Sequence, residues 1–158
     1  YGMKVVNLIP TNMFGEHDHF EEEKSHVIPA LIKKFESARF DSSRPGGVVN
    51  VWGTGSASRD FLYVGECVRA IATALEKDIG PEPINLGTGR ETTIKSLTET
   101  INKMGLYNAE IIWDNTKPDG QPRRCLDTTR AKEVLRWEAT TPLDEAIEST
   151  ILWYRNNK

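Results

Sequence analysis

The apolar positions of the chain fall into short runs of two kinds. Val5, Val6, Leu8 and Ile9 are continuous and mostly β-branched, which predicts a buried strand ended by Pro10. A polar stretch with turn residues Asn12 and Gly15 follows. Val27, Ile28, Leu31, Ile32 and Phe35 then recur at helical spacing. Ser25 is the expected N-cap of that helix and His26 its first residue, with the acidic run Glu21-Glu22-Glu23 just ahead of the positive end of the dipole. Asp41–Gly47 reads as a loop, Val48–Trp52 as a strand and Gly53–Ser58 as a glycine-rich turn.

Further on, Arg59–Val64 sets apolar Phe61, Leu62 and Val64 against Arg59, Asp60 and Tyr63, an extended pattern. Cys67–Lys77 predicts a helix with Val68, Ile71, Ala72 and Leu75 inward, broken by Pro81-Glu82-Pro83. Ile84–Leu86 is a short strand stopping at Gly87-Thr88-Gly89. Thr92 or Thr93 caps a helix that runs to about Met104. Ala109–Trp113 is a strand, Asn115–Arg124 a polar loop and Thr129–Leu135 a short helix. Leu143–Tyr154 is a last helix, with Ala146, Ile147, Thr150, Ile151 and Tyr154 on its apolar face.

Alternating strands and helices predict an α/β fold. The strands are few and short for a free-standing doubly wound sheet. Val5–Ile9 and Ile84–Leu86 are expected to join strands this chain does not contain. The start at Tyr1, not Met, so close to a core strand adds the expectation that an earlier half is missing.

At 158 residues the chain has the length of one domain, and 38% hydrophobic with 27% charged residues is a globular composition, not a disordered one. A net charge of −3 gives no electrostatic case for nucleic acid or an anionic membrane as partner. No run approaches the ~18 apolar residues of a membrane span, and no signal peptide is visible. Two distant cysteines, Cys67 and Cys125, suit a reducing compartment such as the cytoplasm.

The candidate chemistry concentrates early. All three histidines, His17, His19 and His26, lie between the first strand and the first helix. A strand, a loop of titratable groups and a helix N-terminus, in that order, is how α/β enzymes build ligand sites. His26 reads either as a proton relay beside a pocket or as a helix-start histidine bonding its neighbours. No metal site is expected, since His17 and His19 alternate along an extended chain and no H-E-x-x-H occurs. Trp52, Gly53, Gly55 and Arg59 offer a flat face, a close backbone approach and a phosphate grip; the plainer reading is a β-turn with a core tryptophan and a surface arginine. One of Lys33 and Lys34 can face a ligand while the other faces water. In Lys117–Arg124, Arg123 and Arg124 could hold a diphosphate and Asp119 could accept from a sugar or base; the alternative is a solvated turn.

These stretches, taken in order, resemble one family. L-I-P-T-N-M-F-G, S-H-V-I-P-A-L-I-K-K-F, V-W-G-T-G-x-x-x-R-D-F-L-Y-V, I-N-L-G-T-G and W-D-x-x-K-P-D-G-Q-P-R-R-x-L-D look like the C-terminal half of the GDP-L-fucose synthases. Those are bifunctional epimerase/reductases among the extended short-chain dehydrogenase/reductases. The resemblance covers Val5 to Tyr154. It implies the last Rossmann strands plus the small α/β substrate-binding domain, as one region over 1–158, with the N-terminal dinucleotide-binding half absent. It implies epimerisation of a GDP-4-keto-6-deoxy-mannose at C3 and C5, then reduction at C4 with NADP as cofactor. By the same likeness Pro10, Thr11, Asn12, Met13 and His26 match cofactor contacts. His26 also matches the proton donor, the catalytic residue, and Lys34, Trp52, Arg59, Asp119 and Arg124 match positions that bind the GDP-sugar. The family's glycine-rich fingerprint and Y-x-x-x-K pair have no match here, since Lys4 follows Tyr1 by three residues and not four. The resemblance implies a homodimer for full-length relatives. The chain alone is expected to turn nothing over; another nucleotide sugar, or a non-catalytic binding module, is the alternative.

Overall fold

The computed structural model describes residues 2–21, 25–40 and 44–157. Tyr1, Glu22 and Glu23 of the acidic run, and residues 41–43 of the expected loop, lie outside the described residues. The elements follow as β1 (Leu8–Pro10), β2 (Asn12–Phe14), α1 (Val27–Ala38), β3 (Val48–Trp52), β4 (Ser58–Arg59), β5 (Phe61–Tyr63), α2 (Val64–Leu75), β6 (Ile84–Leu86), β7 (Thr92–Thr93), α3 (Ile94–Met104), β8 (Glu110–Asp114), β9 (Arg123–Arg124), a π-helical turn (Ala131–Leu135) and α4 (Leu143–Asn156).

The strands pair in small parallel units rather than one sheet. β1 pairs with β6, β2 with β5, and β3 with β8 in register from Val48↔Glu110 to Trp52↔Asp114. β4 lies between antiparallel β7 and parallel β9. Parallel partners cannot be joined by a tight turn, so each pair needs a long crossover, and α1, α2 and α3 lie in those crossovers. Two cores result. Phe14, Ile28, Phe35, Val51, Leu97 and Ile147 gather α1, α3 and α4 around β3 and β8. Leu62, Ala70, Ile84, Leu86 and Leu135 gather α2, β1, β6 and the π-helical turn.

Several expectations change. The first strand is Leu8–Pro10, and Val5 and Ile9 of the expected buried run are exposed. Pro10 belongs to the strand because the ladder's flanking donors are Ile84 N and Thr11 N, so no bond needs its missing N–H. His26, not Ser25, is the N-cap of α1, with no side-chain cap; the Ser25 hydroxyl donates instead to His26 O. Thr93 is the cap of α3, accepting from Ser96 N at 3.1 Å. The expected helix over Thr129–Leu135 is present, with Ala131–Leu135 wound as the π-helical turn and closed by a left-handed Arg136, and Lys77 Nζ donates to Leu135 O at 2.6 Å.

The largest departure is α2. Its buried side chains are the small Cys67, Ala70 and Ala74 with Glu66, while Val68, Ile71 and Leu75 are 60, 43 and 81% exposed and Ala72 is exposed too. The helix carries two apolar faces, and the one with the larger side chains points away from the core of this chain.

Two buried carboxylates tie the elements together. Glu36 of α1 accepts from the Tyr107 hydroxyl at 2.7 Å and from Arg155 Nε at 2.6 Å, which joins α1 to α4. Glu66 accepts from the backbone and hydroxyls of Thr140 and Thr141 and from Arg69, which joins α2 to the segment before α4. Burial alone would raise the Glu66 carboxyl, but these bonds, those of Thr141 first, outweigh it and bring it down to about 2.

Candidate functional site

A pocket of about 340 Å³ opens where β2, α1 and the ends of β3, β4 and β5 meet. Its apolar wall comes from Phe14, Ile28, Leu31, Val51, Phe61 and Ile94, which the 3.6-residue and two-residue periods turn to this side. Its polar rim comes from Asn12, His26, Lys34, Trp52, Arg59 and Asp119. Six sequence-named positions, with Met13 as a seventh, therefore converge from four separate stretches of chain.

Trp52 is no core tryptophan. It ends β3 with its side chain 65% exposed, and two ammonium groups approach its ring, Lys34 Nζ at 5.5 Å and Lys117 Nζ at 5.8 Å from the centroid. Lys34 Nζ also donates to Asn50 O at 3.0 Å. It lines the pocket, while Lys33 lines an adjoining shallow groove instead. Arg59 is half-buried at the pocket edge and donates to Ser58 O at 2.7 Å. Arg124 stands opposite Arg59 in register and its carbonyl accepts from Asp60 N, but its side chain is exposed and outside the pocket lining.

The glycine-rich turn closes on a side chain of the protein itself. Thr54 N donates to Asp119 Oδ1 at 2.6 Å and the Thr54 hydroxyl to Oδ2 at 2.7 Å, so the turn wraps a carboxylate of its own chain. A Cβ on Gly53, whose φ is +81°, would overlap that carboxylate. The Thr54 side chain and then its backbone hold the Asp119 carboxyl below its ordinary range. Asp60, one of the polar positions of the extended segment, is fully buried. It does the same for the other turn, accepting from Thr88 N at 3.0 Å, the Thr88 hydroxyl at 2.6 Å and Gly89 N at 3.1 Å. In both turns the threonine N–H and hydroxyl are thus taken by a carboxylate of the chain.

The β1–β2 segment bears on the cofactor question. Thr11 Oγ1 and Asn12 Nδ2 both donate to Asp60 O, at 3.2 and 2.9 Å, which fixes this segment on β5. Met13 is exposed, and with Phe14 and His26 it lines both the large pocket and a second cavity of about 200 Å³ walled by Gly15, Glu16 and His17. Met13 and His26 thus stand at the junction of the two cavities. Pro10 and Thr11 lie in the same segment but outside the lining of either cavity. Nearby, burial and then Glu16, which accepts the Tyr63 hydroxyl at 2.7 Å, push the Tyr63 phenol up to about 12.

Sequence reasoning left three participants without a role. Lys117 appears there only within its motif, Asp60 only as one polar position of an extended pattern, and Ile94 only within the helix that runs to about Met104. The signal for Asp60 was its position between two strands too short to alternate.

Short parallel strand pairs, crossover helices and a rimmed pocket beyond the strand ends are the arrangement in which α/β folds place ligand sites. Among the described residues no helix is long and apolar enough to cross a membrane. The chain belongs to the NAD dependent epimerase/dehydratase family, whose model matches residues 1–87, and it is GDP-L-fucose synthase-like within it. It is 38% identical over 157 residues to the probable GDP-L-fucose synthase 1 of Oryza sativa subsp. japonica, covering 99% of this chain and 47% of that protein. The chain spans about half the length of the curated relatives it matches. Among solved structures, a GDP-L-fucose synthetase from Naegleria fowleri bound to NADP superposes with a TM-score of 0.84 at 29% identity, over 95% of this chain and 46% of that one. The UDP-glucose 4-epimerase of Thermotoga maritima with UDP-glucose gives 0.83 at 29%, over 99% and 47%. The fold is thus α/β and matches part of the extended short-chain dehydrogenase epimerases.

Proposed function

We propose that this chain is the substrate-binding part of an NADP-dependent nucleotide-sugar epimerase/reductase that converts GDP-4-keto-6-deoxy-mannose to GDP-L-fucose. The observation that carries this reading is the convergence of His26, Lys34, Trp52, Arg59 and Asp119 on one pocket. Trp52 offers its exposed face to the guanine base, and Lys34 and Arg59 supply positive charge for the diphosphate. Arg124, beside Arg59 in register, adds positive charge outside the pocket wall. Asp119 holds the turn that carries Trp52 and leaves remaining acceptor capacity for the nucleotide.

His26 stands where the pocket meets the second cavity. Deprotonation beside a ketone leaves an enolate, and epimerisation requires an acid that returns the proton to the other face. His26 is that acid. Asn12 and Met13, with His26, form the edge against which the cofactor lies, and Pro10 and Thr11 carry the backbone of that segment behind it. NADPH, when bound, supplies the hydride for the C4 ketone. The dinucleotide-binding half belongs to the part of the relatives' length that this chain does not span, and the outward face of α2, with Val68, Ile71 and Leu75, is where that half packs.

Competition among GDP, UDP and dTDP for the pure chain tests the substrate. GDP is expected to bind best. UDP binding better would favour the second reading, a different nucleotide sugar, which the likeness to the UDP-glucose 4-epimerase supports. In the complete enzyme, His26→Gln is expected to abolish solvent hydrogen exchange at C3 and C5 of the sugar; undiminished exchange removes His26 from the role.

A further inference from the structure

Helix α1 does little by itself to hold His26. No side chain caps the helix there, and its first turn carries no acidic residue. The loop ahead of it is fastened from the far end of the chain. His17 has a left-handed backbone, φ +65°, and its ring lies 4.9 Å from that of Trp153. Phe20 stacks on Trp153 at 6.0 Å and meets Tyr154 at 4.4 Å. A left-handed residue other than glycine persists only where its surroundings over-determine it. Here the surroundings are the three aromatic contacts and the Glu16–Tyr63 bond.

Trp153 and Tyr154 sit near the end of α4, and α4 is a firm base. Ala146, Ile147, Thr150 and Ile151 are buried in the larger core, and Arg155 reaches the buried Glu36 of α1. The loop it holds walls the cavity of about 200 Å³ that shares His26, Met13 and Phe14 with the nucleotide-sugar pocket.

We infer that Trp153 is a positioning residue: with His17 and Phe20 it forms an aromatic clasp that fixes the loop 15–20 and, through it, the wall beside His26. Only the consequence for His26 chemistry rests on the proposed function; the clasp itself is a property of this chain.

The test is amide hydrogen exchange on the full 158-residue chain, read by segment. In Trp153→Ala the amides of 16–20 are expected to exchange at least about ten-fold faster, with those of α3 unchanged, because local opening and global unfolding report separately. Trp153→Phe is expected to restore most of the protection. The C2-proton resonance of His26 is expected to move in the alanine variant and to return in the phenylalanine one. Unchanged exchange in 16–20, an equal rise in α3, or a His26 resonance indifferent to both variants overturns the inference. Should Trp153→Ala fail to fold, Phe20→Leu, which removes the stack but keeps an apolar side chain, is read by the same criteria. GDP affinity separates the two readings. Lys34, Trp52 and Arg59 stand outside the clasp, so GDP should bind Trp153→Ala within about two-fold of wild type. A wild-type chain that ignores GDP counts against the proposed function and leaves the exchange result standing.

Discussion

Two Gly-Thr-Gly turns, Gly53-Thr54-Gly55 and Gly87-Thr88-Gly89, are built alike and placed differently. In each, the threonine N–H and hydroxyl donate to the carboxylate of a distant aspartate, Asp119 in the first and Asp60 in the second. Asp60 is fully buried and its own carbonyl also receives Thr11 and Asn12, so it joins the second turn to β2 and β5. Asp119 is exposed on the rim of the pocket, next to Trp52. The same small motif therefore serves the frame in one place and the site in the other. What decides between them is solvent: a carboxylate in the interior cannot be released without stranding its donors, whereas one at a rim can exchange them for water or a ligand.

Replacing Asp60 by alanine should break the likeness most severely. Three donors of the turn would lose their acceptor in a dry site. A loss of about 3 kcal/mol or more is expected, from unsatisfied buried donors that had bonded a charged group. The check is a urea titration, in which the midpoint falls while the slope is kept. A midpoint within error of wild type would mean that water reaches the turn and that the two turns are alike after all.

Glu66 extends the buried side of the comparison, since it holds Thr140 and Thr141 as Asp60 holds Thr88. Its carboxyl is lowered from 4.5 to about 2 in the folded chain. The stability it contributes is therefore fully present above its unfolded value and is lost as pH falls through the folded one. That amounts to on the order of 3 kcal/mol. In Glu66→Gln, stability at pH 7 should drop and the gap to wild type should close between about pH 4.5 and 2. A gap that stays constant over that window would put the effect of the substitution down to packing.

How far these roles could be read in the sequence differs by element. Helix α1, α3 and α4 were legible because each buries one continuous stripe in this chain. For α2 the stripe Val68, Ile71 and Leu75 was equally plain, yet periodicity marks an apolar face without saying what covers it, and here the small residues Cys67, Ala70 and Ala74 face inward. The gathering of His26, Lys34, Trp52, Arg59 and Asp119 was legible only through the order of motifs, since no spacing brings residues of three separate segments together. Asp60 and Asp119 were hidden for a related reason. A glycine turn in a sequence shows that something approaches closely, but not whether it is a ligand or the chain's own carboxylate.

The exposed member of the pair should show the smallest effect on the fold and a selective effect on the site. Asp119→Asn keeps one acceptor for Thr54 and removes the charge, so the urea midpoint at pH 7 should stay within error of wild type, in contrast to Asp60→Ala. The Thr54 bonds hold the Asp119 carboxyl below its ordinary range. The sign follows: the ionised, bonded form persists above the usual carboxylate value of about 4 and is lost only as pH falls below it. In wild type the Thr54 amide resonance should therefore be flat from pH 7 to about 4 and move at lower pH, and in Asp119→Asn it should not titrate. If the turn supports Trp52 as proposed, GDP binds the variant about ten-fold more weakly, the equivalent of one charge-assisted hydrogen bond. A midpoint that drops as far as that of Asp60→Ala would show that the rim turn bears on the frame as well. An unchanged GDP affinity with the midpoint also unchanged would leave Asp119 as the fastening of a surface loop and move the site's specificity to Lys34, Trp52 and Arg59.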